Sequence, residues 1–157
     1  MYKVNEAAGL PALQRVWQWL EESELDFSDR ITMALRQQQA LEDLAKKFRR
    51  KAALREGWLQ DRWTVLSDMT FGETLLELEA AGHKEDSIAT MLDAFAPRVN
   101  ALSSIHGMLA DKGYHGIEAV TDKMEAILSS WSGLQGMLET RRLALDHEYQ
   151  VCLAILI

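Results

Sequence analysis

Apolar residues recur at alternating spacings of three and four along most of the chain, a heptad pattern typical of helices that pack in coiled bundles. The first of these seams begins at Leu10 and keeps its phase as far as Leu66. Pro11 lies in its first turn, where a helix tolerates proline. The pattern therefore predicts one long helix from about residue 10 to about residue 66, with a single apolar stripe.

A turn is expected after this first seam. The sequence Ser-Asp-Met-Thr-Phe-Gly at residues 67–72 interrupts the heptads. Thr74 is followed three residues later by Glu77, which is the spacing of a capping box at the start of a helix. A second helix is therefore predicted to begin close to residue 75.

Two more seams complete the pattern. The second ends at Lys112-Gly113, a typical helix stop, and contains Pro97, which is expected to bend the helix. The third begins after Gly116 and continues to the end of the chain. We therefore predict an all-α fold in which antiparallel helices at about 41–67, 75–112 and 117–155 form a left-handed three-helix coiled bundle.

The first forty residues have no partner in this arrangement. They continue the first seam, and an uncovered stripe of this size usually marks a missing neighbour or an interface. We expect two copies of the chain to pair so that the stripe is covered. The residues predicted for this dimer interface are Leu13, Trp17, Leu20, Phe27 and Ile31.

Composition supports the helical interpretation and excludes several classes of function. The chain has 23 Leu and 19 Ala against only 6 Val, 7 Ile and 7 Thr, and Leu and Ala favour helix. A net charge of −7 disfavours nucleic-acid binding. One cysteine cannot form an intramolecular disulfide, and no apolar run approaches the length of a membrane span. We expect a cytoplasmic protein.

Several segments carry a family resemblance over nearly the whole chain. Residues 41–59, which include Trp58, resemble the helix that joins the first two rod repeats in β-spectrins and α-actinins, and Trp131 and Trp17 match the tryptophans that mark the third helices of such repeats. Trp17, Trp58 and Trp131 are therefore expected to be core residues that mark the repeats. The segments Met69–Gly72, Glu79–Ala81 and Tyr114–Ile117 are similar to β-spectrin. The chain is therefore identified as a member of the spectrin repeat family.

The resemblance implies the domain organisation and the function. Residues 1–40 would be the last helix of a preceding repeat, and residues 41–157 a complete repeat. The protein would be a structural rod segment of an actin-crosslinking cytoskeletal protein, with its actin-binding domain outside this segment. Lateral antiparallel pairing, as a homodimer or a spectrin-type heterodimer, is implied as well, and contact with membranes would be only indirect.

The junction helix offers a second candidate surface. Five positive charges stand within six residues, and they could bind anionic lipid or an acidic partner protein. A solvated linker helix with Phe48 in the seam is the preferred explanation, because six consecutive residues spread around a helix. The five residues, called the basic segment below, are Lys46, Lys47, Arg49, Arg50 and Lys51.

The remaining polar residues of the seams are expected to have structural roles rather than catalytic or ligand-binding ones. Arg55, Arg62, Arg141, Glu85 and Glu148 interrupt the apolar stripes, where they would be partly exposed, form ion pairs or set register. His106 lies on the seam and is expected to be buried in the core with one hydrogen bond, and Cys152 to be a small buried apolar residue. The off-seam Trp19 and Trp63 are expected to pack at an edge or at an interface. No pattern predicts a catalytic site, a metal site or a cofactor, so we expect no enzyme activity.

Overall fold

The computed structural model describes the backbone of residues 3–157 and the side chains of residues 9–157. These residues form three α-helices: α1, Lys3–Leu66; α2, Leu75–Asp111; and α3, Ile117–Leu156. The chain divides into two compact units, residues 1–43 and residues 44–157. The predicted all-α fold and its three helices are confirmed, and the ends of α2 and α3 differ from the predicted ones by no more than one residue.

The start of α1 was predicted wrongly. The helix begins at Lys3 and not near Leu10, so Pro11 lies inside it. Proline removes one helical hydrogen bond, but Ala7 and Ala8 ahead of it are the strongest helix formers and extend the helix in that direction. α2 likewise continues through Pro97 from Leu75 to Asp111. The bend at Pro97 stays a prediction.

Contacts at three levels define the direction of the helices within residues 44–157. At one end, Arg49 of α1 donates to the hydroxyl of Tyr114, which follows α2 (3.2 Å). In the middle, Phe95 of α2 lies between Trp58 of α1 and Trp131 of α3. At the other end, Arg141 of α3 meets Glu85 of α2 and the end of α1. α2 is therefore antiparallel to both neighbours.

The predicted seams form the hydrophobic core of this unit. Each helix contributes one buried stripe, and each large apolar side chain so buried adds about 1.5–3 kcal/mol. Ile105 is the buried residue of its turn, and its neighbour His106, which the seam had placed in the core, is only half-buried. The largest fully buried apolar side chains are those of Phe48, Leu66, Leu102, Leu109, Ile127 and Leu134.

The turn between α1 and α2 contains the predicted capping box. The Thr74 hydroxyl accepts a hydrogen bond from the N–H of Glu77, whose carboxylate accepts from the N–H groups of Thr74 (3.0 Å) and Glu73 (2.8 Å). These bonds, chiefly the one from the Thr74 N–H, lower the pKa of Glu77 below its ordinary value of 4.5. Gly72 has a φ of 114°, and a Cβ there would lie 2.5 Å from the Cβ of Glu77. Only glycine fits this turn.

The stop after α2 is also the predicted one. Gly113 adopts a left-handed φ of 66°. Its N–H donates to the carbonyl of Ala110, and the N–H of Tyr114 donates to that of Leu109 (3.0 Å). These two bonds form a Schellman motif, and the side chains of Leu109 and Tyr114 are both buried. The motif ends α2 and directs Tyr114 into the bundle.

A buried ion pair closes the other end of the bundle. Arg141 and Glu85 are only 3% and 2% exposed. Arg141 donates from Nε (2.9 Å) and Nη2 (2.6 Å) to Oε1 of Glu85. Its Nη1 donates to the carbonyls of Leu66 (2.9 Å) and Asp68, and the ring of Phe71 lies 5.2 Å from the guanidinium. One side chain of α3 therefore holds α2, the last turn of α1 and the following turn together.

Removing the charge of Glu77 should change how stability depends on pH. Because the pKa of Glu77 is lowered on folding, its stabilisation is complete above pH 4.5 and is lost as the pH falls through the folded value. Glu77→Gln should therefore unfold at lower urea concentration than wild type at about pH 7, and the difference should shrink towards about pH 3. Circular dichroism at each pH measures this. Glu79→Gln, an exposed neighbour outside the cap, is the control, and an equal effect of both variants would contradict the account.

Arg141→Met should destabilise the bundle by about 3–5 kcal/mol, because it leaves the Glu85 carboxylate buried without a charge partner. Urea unfolding measures the loss. The matched control is Arg142→Met, whose exposed partner Asp86 lies 3.7 Å away and whose loss should cost no more than about 1 kcal/mol.

The double variant Glu85→Leu/Arg141→Met separates the two roles of the arginine. It should recover much of the loss, since no buried charge remains. It should stay below wild type, because the carbonyls of Leu66 and Asp68 still lack their donor. Equal stability of Arg141→Met and Arg142→Met would show that the pair does not hold this end of the bundle.

Candidate functional site

The predicted interface stripe is exposed to solvent along its length. Its side chains are between 44% and 68% exposed, and all belong to the unit of residues 1–43, in which α1 is the only described element. Trp17 uses its indole N–H within its own helix, donating to Glu21 at 2.7 Å, and leaves the ring face open. The five residues, called the stripe below, are Leu13, Trp17, Leu20, Phe27 and Ile31.

The basic segment lies on the solvent side of α1. Phe48 and Ala52 point into the bundle and are fully buried. At 100° per residue, Lys46, Lys47 and Arg50 fall on the side away from them, and all three are exposed. Three of the five charges are therefore gathered on the solvent side of the helix.

The other two members of the basic segment are less open to a partner. Arg49 donates to the hydroxyl of Tyr114 at 3.2 Å, and Lys51 is half-buried. Within the part of the chain that the structure describes, Lys46, Lys47 and Arg50 make no ion pair. These three, called the basic triad below, are the charges available to a partner.

The three tryptophan markers lie in different environments. Trp58 stacks on Phe95 with ring centroids 3.9 Å apart and planes 9° from parallel, and Trp131 packs on the same ring at 5.4 Å. Both are half-buried, whereas Trp17 is exposed. Trp63 lies off the seam and packs at the edge of the bundle against Gly133 of α3. Its ring is so close to this glycine that a Cβ added there would lie 3.4 Å away.

The other polar seam residues are only partly satisfied: the Nε groups of Arg55 and Arg62 are buried without a hydrogen-bond partner among the described residues. Arg62 lies 5.7 Å from the centre of the Trp58 ring and donates to the sulfur of Met91. His106 pairs through Nε2 with the hydroxyl of Thr121 at 2.9 Å, the one bond the sequence predicted. Glu148 is exposed and Cys152 is half-buried, so the cysteine is less enclosed than predicted.

The described residues contain no group of three His, Cys, Asp or Glu side chains that could hold a metal ion. None of their helices is both long and apolar enough to cross a bilayer. A groove of about 910 Å³ runs between α1 and α3, lined mainly by small residues such as Ala53, Gly57, Ala126, Ser130 and Gly133. The candidate site is therefore the surface of α1, and it suits contacts with other macromolecules.

Comparison with known proteins gives a consistent result. The family model described as spectrin repeat matches residues 43–147. The mouse erythrocytic spectrin beta chain is 32% identical over 146 residues, and the human non-erythrocytic spectrin beta chain 4 is 30% identical over 146 residues; each alignment covers 93% of this chain. Human alpha-actinin-3 is 30% identical over 135 residues, or 85% of this chain.

The relatives are much longer than this chain. It spans 6% of the length of each of the two spectrin beta chains and 15% of alpha-actinin-3. The matched residues 43–147 include all the contacts that join the three helices into one bundle. These are the Arg49–Tyr114 bond, the packing of Phe95 on Trp58 and Trp131, and the Arg141–Glu85 pair. On this geometry and these matches, the chain belongs to the spectrin repeat family.

Proposed function

We propose that this chain is a structural rod segment of an actin-crosslinking cytoskeletal protein of the spectrin or α-actinin type. The observation that carries the proposal is α1 itself, which continues without interruption from Lys3 to Leu66 and so joins residues 3–43 to a three-helix bundle. A helix shared in this way suits a spacer built of tandem repeats. The spectrin and actinin names of the relatives support the same assignment.

Within this proposal, residues 1–40 are the last helix of a preceding repeat and residues 41–157 are a complete repeat. An isolated helix is only marginally stable in water, because most helix stability in proteins comes from packing an apolar face. The stripe is such a face, and it is uncovered in the described structure. Other helices of a longer chain, or a second copy, would supply the missing packing.

Lateral pairing follows from the same exposed stripe. A second copy that covered Leu13, Trp17 and Leu20 would bury three large apolar side chains on each chain, at about 1.5–3 kcal/mol per side chain. The partner is thus a second copy or a spectrin-type chain, and actin binds through a domain outside this segment. The role is organisational, without catalysis, nucleic-acid binding or direct membrane contact, and the location is the cytoskeleton.

A second candidate function rests on the basic triad. Three exposed cations that make no ion pair with the described side chains of residues 9–157 could attach the junction helix to anionic lipid or to an acidic partner protein. The net charge of −7 opposes approach to an anionic membrane, and salt screens three exposed charges strongly. The rod segment is therefore the preferred function.

Making the stripe polar should abolish association through it. Leu13→Gln/Trp17→Gln/Leu20→Gln removes apolar area without adding a charge, and Gln is a good helix former. Sedimentation equilibrium over a wide dilution series should show dimers of the wild type at the upper end and only monomers of the variant.

The control is Leu76→Gln/Leu143→Gln, which removes two exposed leucines from the other unit and should dimerise like wild type. Circular dichroism checks that all the proteins are helical. A wild type that is strictly monomeric at every concentration would contradict pairing through the stripe. It would not contradict the role as a spacer between tandem repeats, which rests on the continuous α1.

A further inference from the structure

A second groove lies between α2 and α3, entirely within the unit of residues 44–157. It has a volume of about 520 Å³ and is lined by side chains from residues 78–86 of α2 and 142–149 of α3. The buried Leu78 and Leu145 and the half-buried Tyr149 give it apolar walls. A Cβ added to Gly82 would meet no atom within 4 Å, so the groove is open at this residue. It therefore has room for a side chain of another molecule.

Negative charge predominates around this groove. Four of its lining residues are the acids Glu79, Glu85, Asp86 and Asp146, and the arginine that lines it, Arg142, lies 3.7 Å from Asp86. Glu79 and Asp146 are exposed and form no ion pair with the side chains described for residues 9–157. The site, called the acidic groove below, thus has carboxylates at its rim that lack a cation.

The innermost carboxylate of the acidic groove is incompletely bonded. Arg141 donates from both Nε and Nη2 to the same oxygen of Glu85, Oε1, so Oε2 is turned away from the guanidinium. Oε2 is buried and has no hydrogen-bond partner among the described residues, although Glu85 is only 2% exposed. Buried polar atoms are almost always hydrogen-bonded, and an unpaired one is costly. A donor that enters the acidic groove would supply the missing bond.

We propose that the acidic groove binds the guanidinium group of an arginine side chain from a partner protein. Oε2 of Glu85 is the inner acceptor, and Asp146 and Glu79 compensate the charge at the rim. The alkyl stem of the arginine lies against the apolar walls, and the Tyr149 ring offers a face on which a guanidinium stacks. Because Oε2 is shielded from solvent in the unbound bundle, a side chain of the lining has to move as the guanidinium enters.

The chemistry of the acidic groove selects this occupant over others. An anion would be repelled by the carboxylates, and a neutral apolar group would leave Oε2 without a donor. Among the side chains described, no group of three His, Cys, Asp or Glu could hold a metal ion. A lysine ammonium is more strongly hydrated than a guanidinium and cannot donate in a planar fork, so it fits a half-apolar site less well. The acidic groove shares no residue with the stripe or the basic triad.

The first test is a titration of the full chain, labelled with nitrogen-15, with N-acetyl-arginine amide. Amide resonances of Gly82, Asp86 and Asp146 should shift and saturate with a dissociation constant of about 1–10 mM, since one partly exposed side chain binds weakly. N-acetyl-citrulline amide has nearly the same shape without the charge and should cause no saturable shift. N-acetyl-lysine amide should bind more weakly than the arginine compound.

The second test changes the acidic groove itself. Gly82→Leu fills it and should weaken binding of N-acetyl-arginine amide at least about tenfold through steric exclusion. The matched control is Gly107→Leu, another half-buried glycine of α2 with no atom within 4 Å of an added Cβ, which should bind like wild type. Asp146→Asn should weaken binding about two- to fivefold, because it removes one rim charge. Asp122→Asn, exposed on α3 outside the groove, should have no effect.

The third test removes the inner acceptor. Glu85→Gln keeps the shape of the side chain and should weaken binding at least about tenfold, because the lost charge can no longer pair with the guanidinium. Circular dichroism shows whether each variant folds. Should Glu85→Gln unfold because Arg141 has lost its charge partner, Gly82→Leu and Asp146→Asn with their controls still decide the question.

Three results would each contradict the proposal. The first is the absence of saturable shifts below about 50 mM of the arginine compound, which would mean affinity too weak for an ion-pair site. The second is equal binding of the citrulline compound or tighter binding of the lysine compound. The third is equal binding by Gly82→Leu and Gly107→Leu. None of these outcomes bears on the stripe, so this test and that of the proposed function fail independently.

Discussion

The structure depends on one constraint, which is that the apolar seam of α1 has to be kept from water. In residues 44–66 the seam is buried against α2 and α3, and Ala45, Phe48, Ala52, Leu59 and Leu66 are almost inaccessible. In residues 9–43 the same heptad pattern continues, but its large side chains are mostly exposed. This difference in burial is the physical reason for expecting a partner, and the proposed function rests on it.

Polar contacts at the two ends of the bundle fix the register of its helices. The apolar seams alone would allow the helices to slide along one another. Arg141 links Glu85 to the last carbonyl of α1, and Arg49 meets Tyr114 at the opposite end. One oxygen of Glu85, Oε2, is buried without a hydrogen-bond partner among the described residues. Burying two charges is costly, so the pair itself adds little net stability. The value of Arg141 lies in its bonds to the carbonyls of Leu66 and Asp68 and in fixing which turns of the three helices meet.

Much of the fold could be predicted because it follows from local rules. Heptad spacing gave the three helices, and Thr74 with Glu77 gave the start of α2 through a bond pattern confined to four residues. The start of α1 could not be found this way, since Pro11 looks the same in a first turn and inside a helix. Pairing of Arg141 with Glu85 was one of several options, because the residues are 56 positions apart and only packing chooses between them. The basic segment shows the same limit of sequence analysis. Which of its residues face solvent became clear only when the structure placed Phe48 on the buried side of α1.

The central claim is that residues 10–40 form a helix whose stability depends on a partner. Hydrogen exchange followed by mass spectrometry tests it directly, since exchange reports local opening. At concentrations where the protein is monomeric, amides of residues 10–40 should exchange far faster than those of residues 44–66, and their protection should rise with concentration. Equal protection of both segments in the monomer, independent of concentration, would contradict the account.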